Sequence, residues 1–213
     1  MDRHEHWNAI YQTKAENDVS WFESEPQISL ELINAASPSH GRVIDVGGGA
    51  SRLVDRLVAT GFESVTVLDI SEIALEQAKT RLGAQSAQVH WVVGDICQIA
   101  ELPPCDVWHD RAVFHFLMEA NDRRKYVDLV ARTVRGGHVI IGTFAIDGPL
   151  KCSGLDVCRY DAAALSRELG PRFKLVWEMS YTHLTPTGKP QQFFLGLFEH
   201  LPPSMPSRVG SVQ

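Results

Sequence analysis

Several features that mark particular classes of protein are missing from these 213 residues. The four cysteines form no CxxC pair and have no zinc-finger spacing, which indicates reduced thiols rather than disulfides or a metal site. No run of about 18 apolar residues occurs, and the N-terminus has no apolar segment, so we expect a cytoplasmic protein without a membrane partner. A net charge of -6 without Lys/Arg runs argues against a nucleic-acid partner.

What the chain does have is a regular alternation of β-type apolar segments and helical segments from residue 43 onward. Strands joined by helical crossovers run parallel, whereas the last two β segments follow one another directly and predict an antiparallel pair. We therefore predict a single α/β domain, 1–200, with a Rossmann-like, doubly wound and mostly parallel seven-stranded sheet and an antiparallel last strand. Residues 1–40 are expected to form an N-terminal helical cap, 41–200 the α/β core and 201–213 a flexible Pro/Ser-rich tail.

The stretch VIDVGGGASRL, residues 43–53, predicts a buried strand, a tight turn and the start of a helix. Gly47 and Gly49 let the backbone approach a ligand closely at this turn. Two functions compete: a nicotinamide-dependent oxidoreductase, or methyl transfer from S-adenosylmethionine. The dinucleotide fingerprint GxGxxG needs a third glycine, and Arg52 stands in its place. This substitution favours S-adenosylmethionine, which has no pyrophosphate.

Acidic residues at three successive strand ends fit such a cofactor. Asp69, with Ile70 beside it, ends the second strand and can accept hydrogen bonds from two ribose hydroxyls. Asp95 ends the third strand and can accept from the adenine amino group, while the Ile96 N–H reaches a ring nitrogen. Asp45 lies near the end of a buried strand and needs a partner such as the cofactor's ammonium group. Taken singly, these acids are also compatible with helix starts and loop caps.

The ordered segments DVGGGAS, Asp69, GDI and HDRAVFHF resemble the motifs of class I, seven-strand, S-adenosylmethionine-dependent methyltransferases over residues 40–145. Ser51 stands where that family usually has its last motif glycine. The resemblance implies S-adenosylmethionine as cofactor, with S-adenosylhomocysteine as product. It also implies the following roles: Gly47 and Gly49 line the methionine portion, Asp69 holds the ribose, Asp95 and Ile96 bind adenine, and Asp110 faces the reactive end.

Two narrower resemblances bear on the acceptor. The segment HWNAIYQTKAENDVSWF, residues 6–22, resembles the N-terminus of a subgroup of protein lysine methyltransferases. That subgroup carries a DKGT-like segment after the fourth strand, where this chain has DRAVFHF. The DRAVFHF segment resembles small bacterial methyltransferases instead. We therefore favour a small-molecule acceptor with an N, O or S nucleophile and keep a protein lysine acceptor as the alternative.

Candidates for the acceptor side follow the fourth and fifth strands and the final turn. A general base is needed only if the acceptor arrives protonated. His115 is a candidate base or orienting group, or a histidine packed between phenylalanines. Arg159 and Tyr160 end the long loop 146–161, where Arg159 either binds an acceptor carboxylate or pairs with a neighbouring acid. His183 lies in the segment joining the last two strands, which also fits a plain hairpin.

Two further features of the sequence have open interpretations. Trp21, followed by Phe22, either forms an aromatic wall near the sulfonium or simply packs in the core. Cys152, in the same loop as Cys158, invites a thiolate or arsenic-binding interpretation, although no thiol cluster accompanies it. A third function, a cofactor-binding module without catalysis, agrees less well with the aromatic and histidine residues around the expected acceptor site.

Overall fold

A computed structural model describes residues 2–201. The helices are α1 (Arg3–Thr13), α2 (Gln27–Ala36), α3 (Leu53–Thr60), α4 (Glu72–Leu82), α5 (Ala120–Thr133) and α6 (Ala162–Leu169). The strands are β1 (Arg42–Val46), β2 (Ser64–Asp69), β3 (Val89–Val93), β4 (Cys105–Arg111), β5 (Val134–Phe144), β6 (Lys151–Cys152), β7 (Leu155–Asp156), β8 (Phe173–Leu184) and β9 (Pro190–His200). The predicted tail, 201–213, lies outside the described residues except for Leu201.

Seven of these strands form one sheet in the order β3-β2-β1-β4-β5-β9-β8. Strands β1 to β5 pair in parallel, while β9 runs antiparallel to both of its neighbours, β5 and β8. The predicted Rossmann-like, mostly parallel sheet with an antiparallel last strand is therefore confirmed. Phe144 at the end of β5 pairs with Phe193 near the start of β9. The first residues of β9 consequently lie at the sheet edge where the parallel strands end.

Helices cover both faces of the sheet, and the alternation along β1 explains how. Val43 belongs to the hydrophobic core under α2, α3 and α4, while Ile44 and Val46 belong to the core under α5 and α6. Successive side chains of a strand point to opposite faces, so a strand between two helical layers must be apolar on both sides. Asp45, on the α2 side, is the polar exception in β1.

The two N-terminal helices take different positions. Helix α1 crosses the carboxyl edge of the sheet beside α4, where the Ser71 hydroxyl donates to Asn8 Oδ1 at 2.6 Å. Helix α2 packs against α3 and the centre of the sheet. The connecting segment 14–26, here called the strap, is held by ion pairs between Glu16 and Arg52, Glu23 and Arg111, and Glu25 and Arg56. Across residues 2–201, no helix combines the length and apolar character that a membrane crossing requires.

Candidate active site

A cavity of about 860 Å³, including its open mouth, follows the carboxyl edge of the sheet. Strands β2, β1 and β4 each contribute residues at or just beyond their ends, and α1 and the strap cover the cavity from above. The residues that line this cavity include Arg3, Trp7, Tyr11, Trp21, Gly47, Asp69, Ile70, Asp95, Ile96, Arg111, Phe116, Phe144, Cys152, Gln191 and Phe193.

The strand order divides this cavity into two halves. The acidic half lies at the ends of β2 and β3 and contains Asp69 and Asp95. The apolar half lies at β5, β9 and the β6–β7 hairpin and is walled by Phe116, Phe144, Cys152, Phe193 and Trp21. Neighbouring strands lie about 4.8 Å apart, so three steps separate β2 from β5 by roughly 14 Å. An elongated ligand can therefore present one end to each half.

The glycine turn lies between the two halves. Gly47 and Gly49 have φ values of 68° and 45°, which L side chains rarely adopt. A Cβ on Gly49 would stand 2.8 Å from the Tyr11 hydroxyl oxygen and 3.0 Å from Asp69 Oδ2. The absence of that atom lets α1 and the end of β2 meet at the turn. Arg52, in the place of a third fingerprint glycine, turns outward and donates to Glu16 at 2.8 Å.

Asp69 is the strongly perturbed acid of the acidic half. Its Oδ1 accepts from the Ser71 N–H at 2.7 Å. Burial, and then the charge of Asp45, raise the pKa of Asp69 to about 7. A carboxylate in this position gains from additional hydrogen-bond donors.

Asp95, unlike Asp69, is held by a positively charged side chain as well as by a backbone N–H. Its Oδ1 accepts from the Cys97 N–H at 2.9 Å, and Arg3 of α1 lies 3.5 Å from its Oδ2. Ile96, beside it, also lines the cavity. The acid, the backbone of the following residues and the cap helix therefore meet at one end of the acidic half.

Asp45 has a protein partner that sequence reasoning did not identify. Its Oδ1 lies 2.7 Å from His109 Nδ1, and His109 Nε2 lies 2.9 Å from the Ser29 hydroxyl. Asp45 and His109 are paired across β1 and β4, and Ser29 lies on α2. All three are buried. They line a second cavity of about 600 Å³ beside the glycine turn. This chain of contacts joins the N-terminal cap to the centre of the sheet.

Arg111, at the end of β4, lies between the two cavities and lines both. It donates to the Trp21 carbonyl at 3.1 Å and to the Tyr181 hydroxyl at 3.2 Å, and it pairs with Glu23 at 2.9 Å. Its guanidinium carbon lies 4.8 Å from the centre of the Phe193 ring. Arg111 was not among the site residues predicted from the sequence. The available signal was its place at the carboxyl end of a predicted parallel strand, one residue after Asp110.

Aromatic side chains from the cap close the cavity. Trp7 contacts Trp21 and Phe116 edge to face, with centroid distances of 5.6 and 5.1 Å, and Tyr11 lies 6.1 Å from Trp21. A sulfonium cation is attracted to such rings. Together with the acids and the glycine turn, this roof fits S-adenosylmethionine: carboxylates at the adenosine end, an open backbone in the middle and rings near the reactive end.

The predicted catalytic residues do not line the main cavity. His115 is fully buried, and its Nδ1 accepts from the Phe144 N–H at 3.3 Å. Burial and the charge of Arg111 lower the pKa of His115 to about 3, so it stays neutral. Tyr160 packs on Phe114 in the core beneath α5 and α6. These two side chains point into the protein because they follow the apolar face of their segments.

Two other acceptor candidates are also placed elsewhere. Arg159 donates to the Gly148 carbonyl at 3.2 Å and so stabilises the loop in which it lies. His183 Nε2 lies 2.8 Å from the Ser20 carbonyl oxygen, and its Nδ1 lies 3.7 Å from Glu23. His183 therefore fastens the strap to β8, and the segment after it makes the β8–β9 hairpin.

Asp110 does not face the cavity either. It is fully buried, accepts from the Tyr126 hydroxyl at 2.6 Å and accepts from the Val113 N–H at 2.8 Å. Its neighbour Arg111 points to the opposite side, as alternation along β4 requires. The expectation that Asp110 meets the reactive end is wrong for this reason. Of the other predicted cofactor residues, Trp21, Gly47, Asp69, Ile70, Asp95 and Ile96 line the main cavity, Asp45 lines the second and Gly49 supports the turn.

The chain is similar to known methyltransferases. Residues 43–137 match a family model described as a methyltransferase domain. The ribosomal protein L11 methyltransferase of Shouchella clausii is 27% identical over 130 residues, which cover 60% of this chain and 41% of that protein. The chain spans between 13% and 41% of the length of the curated relatives it matches.

Two solved structures share the fold over nearly the whole chain. One comes from work on the conversion of a disulfide bond into a thioacetal group during echinomycin biosynthesis. It is 18% identical, has a TM-score of 0.76, and the match covers 94% of this chain and 92% of that one. The N-methyltransferase NodS of Bradyrhizobium japonicum, solved with S-adenosylhomocysteine, is 16% identical with a TM-score of 0.68, covering 93% and 99%.

The chain therefore contains a methyltransferase domain with the class I, seven-strand fold. It shares this fold with an N-methyltransferase that was solved with S-adenosylhomocysteine. Within residues 2–201, no three His, Cys, Asp or Glu side chains are grouped so as to hold a metal ion.

Proposed function

We propose that this protein transfers a methyl group from S-adenosylmethionine to an N, O or S atom of a small-molecule acceptor. The observation that carries the proposal is the division of one covered cavity into an acidic half and an apolar half, with the glycine turn between them. The acidic half suits the adenosine portion of the cofactor. The apolar half, closed by the strap and the β6–β7 hairpin, suits a compact acceptor.

The cofactor-binding roles follow from position. Asp69 would accept from the ribose hydroxyls, with Ile70 beside it, while Asp95 and Ile96 would hold adenine. The glycine turn, Gly47 to Gly49, would leave room for the methionine portion. Asp45, whose Oδ1 is already held by His109, would meet the ammonium group through the second cavity. Trp21 would pack near the sulfonium.

The protein's own contribution is alignment and exclusion of water. The bound cofactor supplies an electrophilic methyl group. Trp7, Trp21 and Phe116 cover the reaction site, which keeps water away and restricts the approach of the acceptor. Arg111 fixes the strap by holding the Trp21 carbonyl and Glu23. No imidazole reaches the main cavity within the described part of the chain, so we assign no histidine as general base.

A protein acceptor, including a lysine side chain, is the second candidate. It is favoured by the similarity to a ribosomal protein L11 methyltransferase. Arg111 in the apolar half argues against it, because a lysine ammonium would bring a second cation beside that guanidinium. Strong binding of a nicotinamide cofactor would support an oxidoreductase instead, and cofactor binding without any transfer would support a non-catalytic module.

Two measurements test the proposal. Calorimetry should show binding of S-adenosylhomocysteine and no comparable binding of NAD(H) or NADP(H). Transfer of a labelled methyl group into fractionated lysate should then label small molecules and leave proteins unlabelled. Label found only in protein would show that the acceptor is a protein. Absence of S-adenosylhomocysteine binding would overturn the proposal.

A further inference from the structure

The apolar half of the cavity differs from the acidic half in the charges available to an acceptor. Among the described residues that line it, Arg111 is the charged one. The other walls are Phe116, Phe144 and Phe193, the Trp21 ring and the Cys152 thiol. Burial raises the pKa of Cys152 to about 11, so this side chain stays neutral. An acceptor here meets aromatic surface and one guanidinium.

Glu23, the negative partner of Arg111, lies on the side of the second cavity. Glu23 lines the second cavity and not the first. Burial disfavours its charge, but the hydrogen bond to His183 and the charge of Arg111 outweigh burial, and the pKa of Glu23 is lowered. Tyr181 also faces Arg111, and its pKa is raised mainly by burial. Arg111 therefore lines the main cavity, while its negative partner Glu23 does not.

Within residues 2–201, the carboxylates that line the main cavity are Asp69 and Asp95, and no imidazole lines it. The strands before these acids, β2 and β3, lie three and four steps from β5, roughly 14 and 19 Å. His115 is close in the chain but is buried behind Phe116 and Phe144 and is neutral. An aliphatic amine, which is protonated near neutral pH, would bring a second cation beside Arg111. An aliphatic alcohol would lack a base.

The entrance to the apolar half is itself apolar. Met118, Ile146 and Leu150 are exposed by 47%, 51% and 66%. Each lies one or two residues from a lining residue, namely Leu117, Phe144 or Cys152. Gln191 also lines the cavity, and its buried side-chain Oε1 has no hydrogen-bond partner among the described residues. An acceptor with a hydrophobic body and a single polar atom matches these surroundings.

Resting on the proposed function, we propose that the acceptor is a hydrophobic, preferably aromatic, thiol that reacts as its thiolate beside Arg111. Thiols lose their proton at lower pH than alkylammonium ions, phenols or alcohols, and the guanidinium favours the thiolate. The thiol proton leaves to solvent as the acceptor binds. A sulfur electron pair then forms the new bond to the methyl carbon while the bond from that carbon to the sulfonium breaks. The products are the methyl thioether and neutral S-adenosylhomocysteine.

The test uses the full chain saturated with S-adenosylhomocysteine, with thiophenol as the probe at pH 6. Calorimetry in buffers of different ionisation enthalpy counts the protons released on binding. We expect release of about half a proton or more per thiophenol, because a nearby cation lowers the pKa of an acid by about 1–3 units. Phenol and aniline, matched in shape and both uncharged at pH 6, gain no charge attraction from the guanidinium and should bind at least ten times more weakly.

Variants separate charge from packing. Arg111→Lys keeps the cation and should retain proton release. The double variant Arg111→Met/Glu23→Gln removes both members of the ion pair and should abolish proton release, while circular dichroism and S-adenosylhomocysteine binding report its folding. If the double variant does not fold, the wild-type comparison of thiophenol with phenol and aniline still decides.

The outcomes distinguish this inference from the proposed function. Binding of S-adenosylhomocysteine together with thiophenol binding that releases no proton would overturn the thiolate inference alone. So would faster methyl transfer to aniline, a phenol or a lysine peptide than to thiophenol. Failure to bind S-adenosylhomocysteine would instead remove the proposed function on which the inference rests.

Discussion

The acidic and apolar halves of the cavity are built from different kinds of chain segment. The acidic half comes from residues at the ends of consecutive parallel strands, Asp69 after β2 and Asp95 after β3. The apolar half combines β5, the antiparallel strand β9, the β6–β7 hairpin and the strap. Cofactor recognition thus depends on local order along the chain, whereas acceptor recognition depends on segments that meet only in the folded protein.

The largest expected effect is the loss of the buried acid in the acidic half. Asp69→Asn should weaken binding of S-adenosylhomocysteine about 100-fold, because hydrogen bonds to a charged group contribute about 1.5–3 kcal/mol. Its Oδ1 can still accept from the Ser71 N–H, so the fold should survive. Asp128→Asn, which affects an exposed ion pair with Arg172, is the matched control and should not change affinity. Equal affinities in the two variants would contradict the placement of the ribose.

The pH dependence of cofactor binding should report the same acid. Asp69 has a pKa of about 7 in the structure, above its ordinary 3.8, so the native state holds more protons between these values. Its contribution to the free energy of unfolding therefore falls as pH rises through this window. Ribose hydroxyls favour the carboxylate, so binding should release protons at pH 6, and affinity should rise about tenfold from pH 6 to pH 8.

Calorimetry in two buffers measures this effect. Asp69→Asn is the internal control, since its affinity should no longer change with pH in this range. It should also melt a few degrees higher than the wild type at pH 8 without cofactor, because no buried carboxylate has to be ionised. A wild-type affinity that is flat from pH 6 to pH 8 would argue against ribose binding at Asp69.

A change in the apolar half should leave the acidic half unaffected. Phe193→Leu removes an aromatic ring that contacts Phe144 at 4.9 Å and Arg111 at 4.8 Å. We expect acceptor affinity to fall about 3–10-fold, as aromatic contacts contribute about 0.5–1.5 kcal/mol beyond buried area. Affinity for S-adenosylhomocysteine should stay the same. Titrations of both ligands check this, and a parallel loss of both affinities would mean that the halves are not separate.

The smallest effect is expected at His115. His115→Gln keeps an acceptor for the Phe144 N–H, and the imidazole it removes is neutral and enclosed. Turnover and its pH profile should remain as in the wild type, measured from pH 5 to pH 8. If the variant lost an inflection of that profile while its cofactor affinity stayed the same, His115 would be a catalytic residue after all.

Spacing along the sequence was sufficient to predict the parallel core of the sheet and the positions of the acids that we propose bind the cofactor. The carboxyl ends of parallel strands lie at one edge of the sheet, so the sequence alone predicts that Asp69, Asp95 and the glycine turn lie at the same edge. The direction of individual side chains was harder to predict. Asp110 and Arg111 are neighbours at the end of β4, and only the position of Tyr126 shows which of them points into the core.

Histidines were the least predictable residues of the site. His115 and His183 occur in segments expected near the acceptor, yet one is enclosed by rings and the other fastens the strap. His109 attracted no attention in the sequence, although it bridges Asp45 and Ser29. The sequence does not show whether a histidine packs in the core, connects two segments or lines a site, because its partners come from distant segments.

The sequence by itself determined the order of strands and helices, the glycine turn and the acids that follow it, because periodicity and local spacing encode these features. The tertiary structure decided which side chains face the cavity. The pairing of Phe144 with Phe193, the folding of α1 and the strap over the sheet edge, and the placement of Arg111 between two cavities all require contacts between residues far apart in the chain. Such contacts depend on packing and leave no periodic signal.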